Sequence, residues 1–492
     1  MNLVEQLEYL FNPRSVAVVG ASNTFGKWGF DMINSALATT QERKVYPVNK
    51  NASEVRGLRT YQCVRDIPDR VDFAVITVPY QQVPGIMNDC VDKEIKAALI
   101  TSGGLSETGE EGAKVEAEIV SIARRGGLRF IGPNSMGHFN TSSDFSTTPW
   151  IPQVKKGSVG LISQSGNCGV YILRCGFELG IGFSKFVSSG NEADLCLEDY
   201  LEYLAQDEET KVIIAYIEGL RGGRRFFQLA KEITPKKPII VMKAGRTAGG
   251  TKAARSHTAA LSGSEAIHEA MFRQAGVIRV DEVDELLDVA GALLRQPLPK
   301  GKRVGILTAG GGFGVLATDA CERLGLQVAP LSPATIERLN TILPSRWSHA
   351  NPVDTVAAYL DTFPCLWPLM DDENVDAILL SGGVGTAAAV PKLDGVPLST
   401  MEEIKQILKA REDEELRNWD LAIERMDRDQ KPIVVLTMAT SAFKDLETFN
   451  KLRENGILIY PTPERAAKVL AYLAQAGEYL GISRGGQAEP TC

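Results

Sequence analysis

The chain holds four histidines, and His257 lies inside a run of small and polar residues, Arg246 to Ser264, with no apolar period until Ala266. An imidazole can accept a phosphoryl group without a metal when one ring nitrogen is free to attack and a carboxylate holds the other. Glu218, in Tyr216-Ile217-Glu218-Gly219 at the end of a predicted strand, is placed to be that carboxylate, because open α/β sheets build their sites at strand ends. The ordinary alternatives are an incidental loop histidine and a strand-terminal acid. A second group of residues, Ser163-Gln164-Ser165-Gly166-Asn167, closes a strand and opens a helix. Hydroxyls there act as helix caps or, together with the unpaired N–H groups of a first turn, as an anion cradle, and both readings stay open. A third is Gly20-Ala-Ser22-Asn-Thr-Phe-Gly26-Lys27-Trp-Gly29. It is a turn in which glycines let the backbone approach a phosphate, though its spacing is not the dinucleotide fingerprint and a plain tight turn has the same composition. The next strand ends in Asn49-Lys50 rather than in an acid. That disfavours unmodified NAD and suits an extra phosphate, as in NADP or the 3′-phosphate of coenzyme A.

The elements that must position these groups alternate between short β-branched runs and amphipathic stretches, the pattern of βαβ units around parallel sheets. The runs are Ser15–Val19, Val45–Val48, Phe73–Val78, Ala97–Thr101 and Arg129–Ile131; then Ser158–Ser163, Phe183–Ser188, Val212–Ile217, Pro238–Lys243 and Val277–Val280; then Arg303–Thr308, Leu326–Leu331, Ala377–Ser381 and Ile433–Met438. Linker composition at Ser142–Gly157 and at Gln296–Lys302 divides them into three α/β domains, 1–145, 146–298 and 299–492. The strand-turn-helix patterns at Gly160–Asn167 and Gly305–Gly312 make the second and third look like copies of one flavodoxin-like plan. A charged stretch between the last two strands reads as a helical insertion at about 390–430, with a solvated face as its plain meaning and a docking element as the sharper one. His268 fits packing and His349 a structural turn, whereas His138 follows a strand-tip turn where ligand-lining loops occur.

Composition narrows the classes. Lys+Arg of 53 against Asp+Glu of 61 gives a net charge of −8, which argues against nucleic acid or an anionic membrane as the main partner. No apolar run approaches the roughly 20 residues of a membrane span, and the first residues lack a signal peptide's basic n-region with a small-residue cleavage site. Eight cysteines without a Cys-x-x-Cys pair read as free thiols of a reducing cytoplasm, and no metal site is expected.

Eight segments in order carry a resemblance: Gly20-Ala-Ser with Lys27-Trp-Gly29, Pro47-Val-Asn49, Gly132-Pro-Asn134, Ser163-Gln-Ser-Gly166, Gly190-Asn-Glu-Ala-Asp194, Tyr216-Ile-Glu218-Gly219, Ser256-His257-Thr258 and Asn351-Pro-Val-Asp354. Across nearly the whole chain they resemble the α-subunit type of the NDP-forming acyl-CoA synthetases, relatives of succinyl-CoA synthetase. The resemblance implies a Rossmann-like CoA-binding domain followed by two flavodoxin-like, succinyl-CoA synthetase-like domains. It makes His257 the phosphorylated residue, Glu218 its partner, and Ser163, Ser165 and Gly166 the phosphate-binding helix start. It makes Gly20, Ser22, Lys27, Asn49, Lys50, Val78, Pro79, Ser102, Gly103 and Asn134 the CoA site. It implies a reversible exchange of acyl-CoA, phosphate and ADP for an organic acid, CoA and ATP. ATP or ADP and Mg2+ would sit on a separate ATP-grasp β subunit in an α2β2-type assembly, for which this chain has no room. Two positions depart from the family's pattern: Ala259, where Gly is frequent, and Lys50, where Pro is frequent. Two rivals remain. An NADP-dependent oxidoreductase explains Lys50 but neither the flavodoxin-like copies nor the His257 segment, and a non-catalytic CoA-binding or regulatory subunit leaves Ser-His-Thr and Glu218 without purpose.

Overall fold

Each β-branched run named above becomes a strand, and the strands gather in three sheets. The computed structural model describes residues 2–38, 43–149, 154–247, 249–250, 265–356, 362–385, 398–437 and 446–482. The chain forms two compact units, Met1–Leu287 and Asp288–Cys492.

The first unit holds two large sheets and a two-stranded antiparallel ribbon, Glu54–Val55 with Leu58–Arg59. Its first comprises β1 (Ser15–Val19), β2 (Lys44–Val48), β3 (Phe73–Ile76), β4 (Ala97–Ile100) and β5 (Arg129–Ile131), all parallel in the order β2-β1-β3-β4-β5. β3 and β4 are buried at every residue, as strands covered by helices on both faces must be. Its second sheet comprises β6 (His138–Asn140), β7 (Phe145–Ser146), β8 (Lys156–Ser163), β9 (Phe183–Ser188), β10 (Val212–Ile217), β11 (Ile239–Lys243) and β12 (Ile278–Val280), in the order β12-β11-β10-β8-β9-β6-β7. β8 to β12 are parallel, while β6 runs antiparallel to β9 and β7 to β6. The stretch expected as linker therefore contains β7 and the start of β8. Its Ser/Thr composition hid a hairpin stabilised by pairing to β9 rather than by propensity.

Counted within itself, each parallel sheet has the order 2-1-3-4-5, so each reverses direction between its first and third strands. In open α/β sheets such a reversal is where ligand crevices form, at the carboxyl edge. The second unit repeats this plan with β13 (Arg303–Thr308), β14 (Gln327–Val328), β16 (Ala377–Ser381), β17 (Ile433–Leu436) and β18 (Ile459–Tyr460), while β15 (Val353–Asp354) pairs with the end of β13.

The charged insertion is a single helix, Leu398–Asp429. Its second half is core: Trp419, Ala422 and Met426 are fully buried, and the Trp419 indole donates to the Gly383 carbonyl at 2.7 Å. From Glu402 to Arg411 it is mostly exposed. No helix among the described residues is long and apolar enough to cross a membrane.

Candidate functional site

β8 and β10 lie side by side with Ser163 opposite Tyr216, so the turn after Ser163 and the residues after Ile217 emerge at the same edge. Ser163 is buried and its hydroxyl donates to the Ser165 carbonyl at 2.6 Å. Ser165 is the N-cap of the helix Gly166–Glu178, its Oγ accepting from Cys168 N–H at 3.4 Å. The capping reading is thus realised, and it leaves the cradle reading intact, because Ser165 and Gly166 are only half-buried and Asn167 is exposed. A helix start of this kind concentrates N–H groups and positive potential at one point.

Gln164, quoted in the motif but given no role, is what joins the two strand tips. Its Oε1 accepts from Glu218 N–H at 2.6 Å and Gly219 N–H at 3.1 Å, and its Nε2 donates to the Gly219 carbonyl at 2.7 Å and to Glu192 Oε2 at 3.1 Å. One side-chain amide here does the work of a peptide group and extends the ladder beyond the strands. Glu218 itself is buried, with the Tyr216 hydroxyl donating to its carboxylate at 3.4 Å. Lys243, at the tip of β11, donates to the Glu218 carbonyl at 2.9 Å, and burial lowers its pKa. Glu192 is buried with a φ of 53° and accepts from Ser189 Oγ at 2.8 Å, and burial pushes its carboxyl up to about 7. Lys243 ends an apolar run and Glu192 sits in a Gly-Asn-Glu turn. Those are the signals by which sequence could have found them. His257 lies outside the described residues.

The coenzyme candidates all fall on the carboxyl edge of the first sheet: Gly20 and Ser22 after β1, Asn49 and Lys50 after β2, Val78 and Pro79 after β3, Ser102 and Gly103 after β4, Asn134 after β5. Lys27 closes the turn as the backbone cap of the helix Trp28–Leu37. Gly20 has a φ of 88°, and a Cβ on Gly29 would come 1.9 Å from the Gly20 carbonyl oxygen, so the helix start lies directly on the turn. Lys27, Lys50 and Gly103 are exposed. Asn49 instead turns inward. Its Nδ2 donates to the Ala21 carbonyl at 2.7 Å while Oδ1 accepts from Asn51 and Ala52 N–H at 2.7 and 3.1 Å, so it shapes the loops at this edge. The Ser102 hydroxyl likewise donates to the Val78 carbonyl.

The two edges are stitched together by the segment Gly190–Asp194. Asn191 N–H donates to the Pro133 carbonyl at 2.9 Å and Ala193 N–H to that of Gly132 at 3.0 Å. The Asn191 side chain donates to Glu107 at 2.6 Å and Glu116 at 3.0 Å, and the Arg221 guanidinium caps the Asn191 carbonyl at 2.6 Å. The backbone at Glu192 turns its side chain to the second sheet immediately after Asn191 has faced the first. His138 plays no part in either edge. It is fully buried, its Nε2 at 2.8 Å from the Leu10 carbonyl and its Nδ1 at 2.9 Å from the Thr147 hydroxyl, and it is structural.

Comparison with known proteins adds the following. Residues 14–141 match the family model described as CoA binding domain, and residues 156–293 match that described as Succinyl-CoA ligase like flavodoxin domain. The chain is 41% identical over 477 residues to acetate–CoA ligase [ADP-forming] II subunit alpha of Pyrococcus furiosus, covering 96% of this chain and 99% of that one. It is 37% identical over 469 residues to acetate–CoA ligase [ADP-forming] of Methanocaldococcus jannaschii, covering 95% of this chain but 63% of that longer one. Among solved structures it is similar to a dinucleotide forming acetyl-coenzyme A synthetase 1 of Ca. Korarchaeum cryptofilum, in complex with phosphate and ADP. There the TM-score is 0.82 at 32% identity, over 98% of this chain and 99% of that one.

Proposed function

The chain belongs to the family of ADP-forming acetate–CoA ligase α subunits, and from that premise we propose that it interconverts acyl-CoA, phosphate and ADP with a short organic acid, CoA and ATP by way of an acyl phosphate and a phosphohistidine at His257. In this reading the chain has three domains, 1–145 for CoA and 146–298 and 299–492 for the ligase halves, with the hairpin β6–β7 reaching from the end of the first into the sheet of the second.

A phosphate oxygen held at the Ser163-Gln164-Ser165-Gly166 helix start attacks the thioester carbonyl carbon. The C–S bond breaks, and the CoA thiolate leaves and takes a proton. A His257 ring nitrogen then attacks phosphorus, the bond to the acyl oxygen breaks, and the carboxylate departs. The phosphoryl group passes to ADP on a partner chain, which we take to be an ATP-grasp β subunit in an α2β2-type assembly. ATP or ADP, with Mg2+ to neutralise its phosphates, binds on that subunit. Glu218 fixes the imidazole, and the CoA edge of Gly20, Ser22, Lys27, Asn49, Lys50, Val78, Pro79, Ser102, Gly103 and Asn134 presents the thioester. This chain's contribution is orientation and preorganised N–H groups aimed at developing charge.

The observation that supports the proposal is the Gln164 clasp, in which the residue just before the half-open helix start accepts from the Glu218 and Gly219 N–H groups at the neighbouring strand tip. A cytoplasmic setting accords with it, since Cys63, Cys90, Cys168, Cys175, Cys196 and Cys321 stay free thiols.

Incubation with the cognate β chain and γ-labelled ATP is expected to give an acid-labile, base-stable phosphoryl group on this chain. His257→Ala should abolish it, and label persisting in that variant removes His257 from the mechanism. Glu218→Gln should slow labelling at least tenfold without shifting the unfolding midpoint, and an unaltered rate removes Glu218. CoA binding without labelling of the wild type would make this a regulatory subunit instead.

A further inference from the structure

An acyl group that leaves CoA sulfur for a phosphate oxygen must lie between the two edges described above, and the turn Gly132–Gly137 spans that gap. Asn134 is exposed, and its Oδ1 would stand 3.3 Å from a Cβ on Gly103, so it belongs to the CoA side. Two residues later the half-buried Met136 side chain lies on the other side. A Cβ on Gly166 would come 2.3 Å from Met136 Cγ and 2.5 Å from Sδ. The thioether therefore rests directly on the phosphate-side helix start and leaves no room for even a methyl group beneath it.

The backbone carrying it is pinned. Met136 N–H donates to Ser188 Oγ at 3.1 Å, Ser135 Oγ donates to the Ser188 carbonyl at 2.6 Å, and Ser188 N–H donates to the Gly137 carbonyl at 2.9 Å. Both serines are buried. A fixed Cα with an unbranched, polarizable side chain makes a wall that yields only at its tip.

We propose that Met136 is the specificity-determining wall of the acyl site, confining it to short, unbranched monocarboxylic acids. This rests on the proposed function and names its substrate class. A branched or aryl tail must push the thioether off the helix start. A second carboxylate must lose its water against sulfur and methylene with no compensating charge from that side chain.

The test uses the complex with the cognate β chain and initial rates of CoA thiol consumption with acetate, isobutyrate, phenylacetate and succinate. Met136→Ala should raise the isobutyrate-to-acetate and phenylacetate-to-acetate ratios of kcat/KM by about tenfold or more, the range expected when a hydrophobic pocket gains a methylene or two of space. Met136→Lys should raise the succinate-to-acetate ratio. Ratios within twofold of wild type in both variants overturn the assignment. Labelling of His257 by ATP needs no acid, so it separates the two levels. Normal labelling with flat ratios sinks Met136 alone, whereas an unlabelled wild type sinks the proposed function and this inference with it.

Discussion

At Glu192 a carboxyl group sits out of water within reach of Glu198, and burial is the main cause of its rise to about 7, with the neighbouring acid adding to it. Hydrogen bonds from Ser189 and Gln164, and the Arg221 charge, pull the other way without prevailing. An unfolded glutamate titrates near 4.3. Between roughly 4.5 and 7 the folded protein therefore keeps a proton that the unfolded chain has released, so stability from this group is greatest at low pH and declines as pH rises to about 7. Glu192→Gln preserves the shape, with its carbonyl oxygen able to accept from Gln164 and its amide able to donate to Ser189 Oγ, and it carries no charge. The variant should gain on wild type between pH 5 and pH 8 by an amount on the order of 2 kcal/mol. Urea unfolding midpoints at the two pH values check this, and a difference that does not change with pH contradicts a neutral Glu192.

Helices and turns decide whether those residues meet a ligand. The helix Trp28–Leu37 begins so close to the first turn that only a hydrogen on Gly29 fits against the Gly20 carbonyl. Gly29→Ala must lift the helix start by more than an ångström. We expect it to cost about 1–3 kcal/mol, as overpacking of a tight contact does, and to weaken CoA binding at least tenfold by displacing Lys27 and Ser22. Titration calorimetry with CoA reads the effect, and wild-type affinity would show that this turn does not form the site. The parts of the site that could be read from sequence are of this kind. Small residues in strand-to-helix turns announce themselves, as Gly20–Gly29 and Ser163–Gly166 do, because few residue types satisfy such backbones. The long charged stretch announced a helix but not the burial of Trp419, because its apolar positions cover only its second half. The functions of Gln164 and Met136 were not legible. Each depends on which segments the fold brings opposite it, and nothing in local spacing records that Gln164 would reach Glu218 or Met136 would cover Gly166.

Across the first unit, both sheets and the first helix converge on one imidazole. The helix Leu3–Phe11 stacks Phe11 on Tyr203 at 4.5 Å, and the Tyr203 hydroxyl donates to Glu8 at 2.8 Å, which fastens it to the second sheet's layer. His138 then meets Phe11 of that helix, Phe73 of β3 and Phe145 of β7 edge-on, while its nitrogens engage Leu10 and Thr147. Burial lowers its pKa to about 4, and the Leu10 carbonyl opposes this only in part. In the unfolded chain histidine titrates near 6.5. Below that value the unfolded state takes a proton that the folded state refuses, so this group's contribution is complete above about 6.5 and is lost as pH falls toward 4. Because the ring touches the helix and both sheets, protonating it should loosen the whole unit rather than a loop. Wild-type protein is expected to lose about 2–3 kcal/mol between pH 6.5 and 4.5 beyond what His138→Gln loses, even though the variant starts less stable at neutral pH. Urea midpoints of the two proteins across that range decide it, and parallel pH profiles would mean that the buried imidazole is not what makes the unit acid-sensitive.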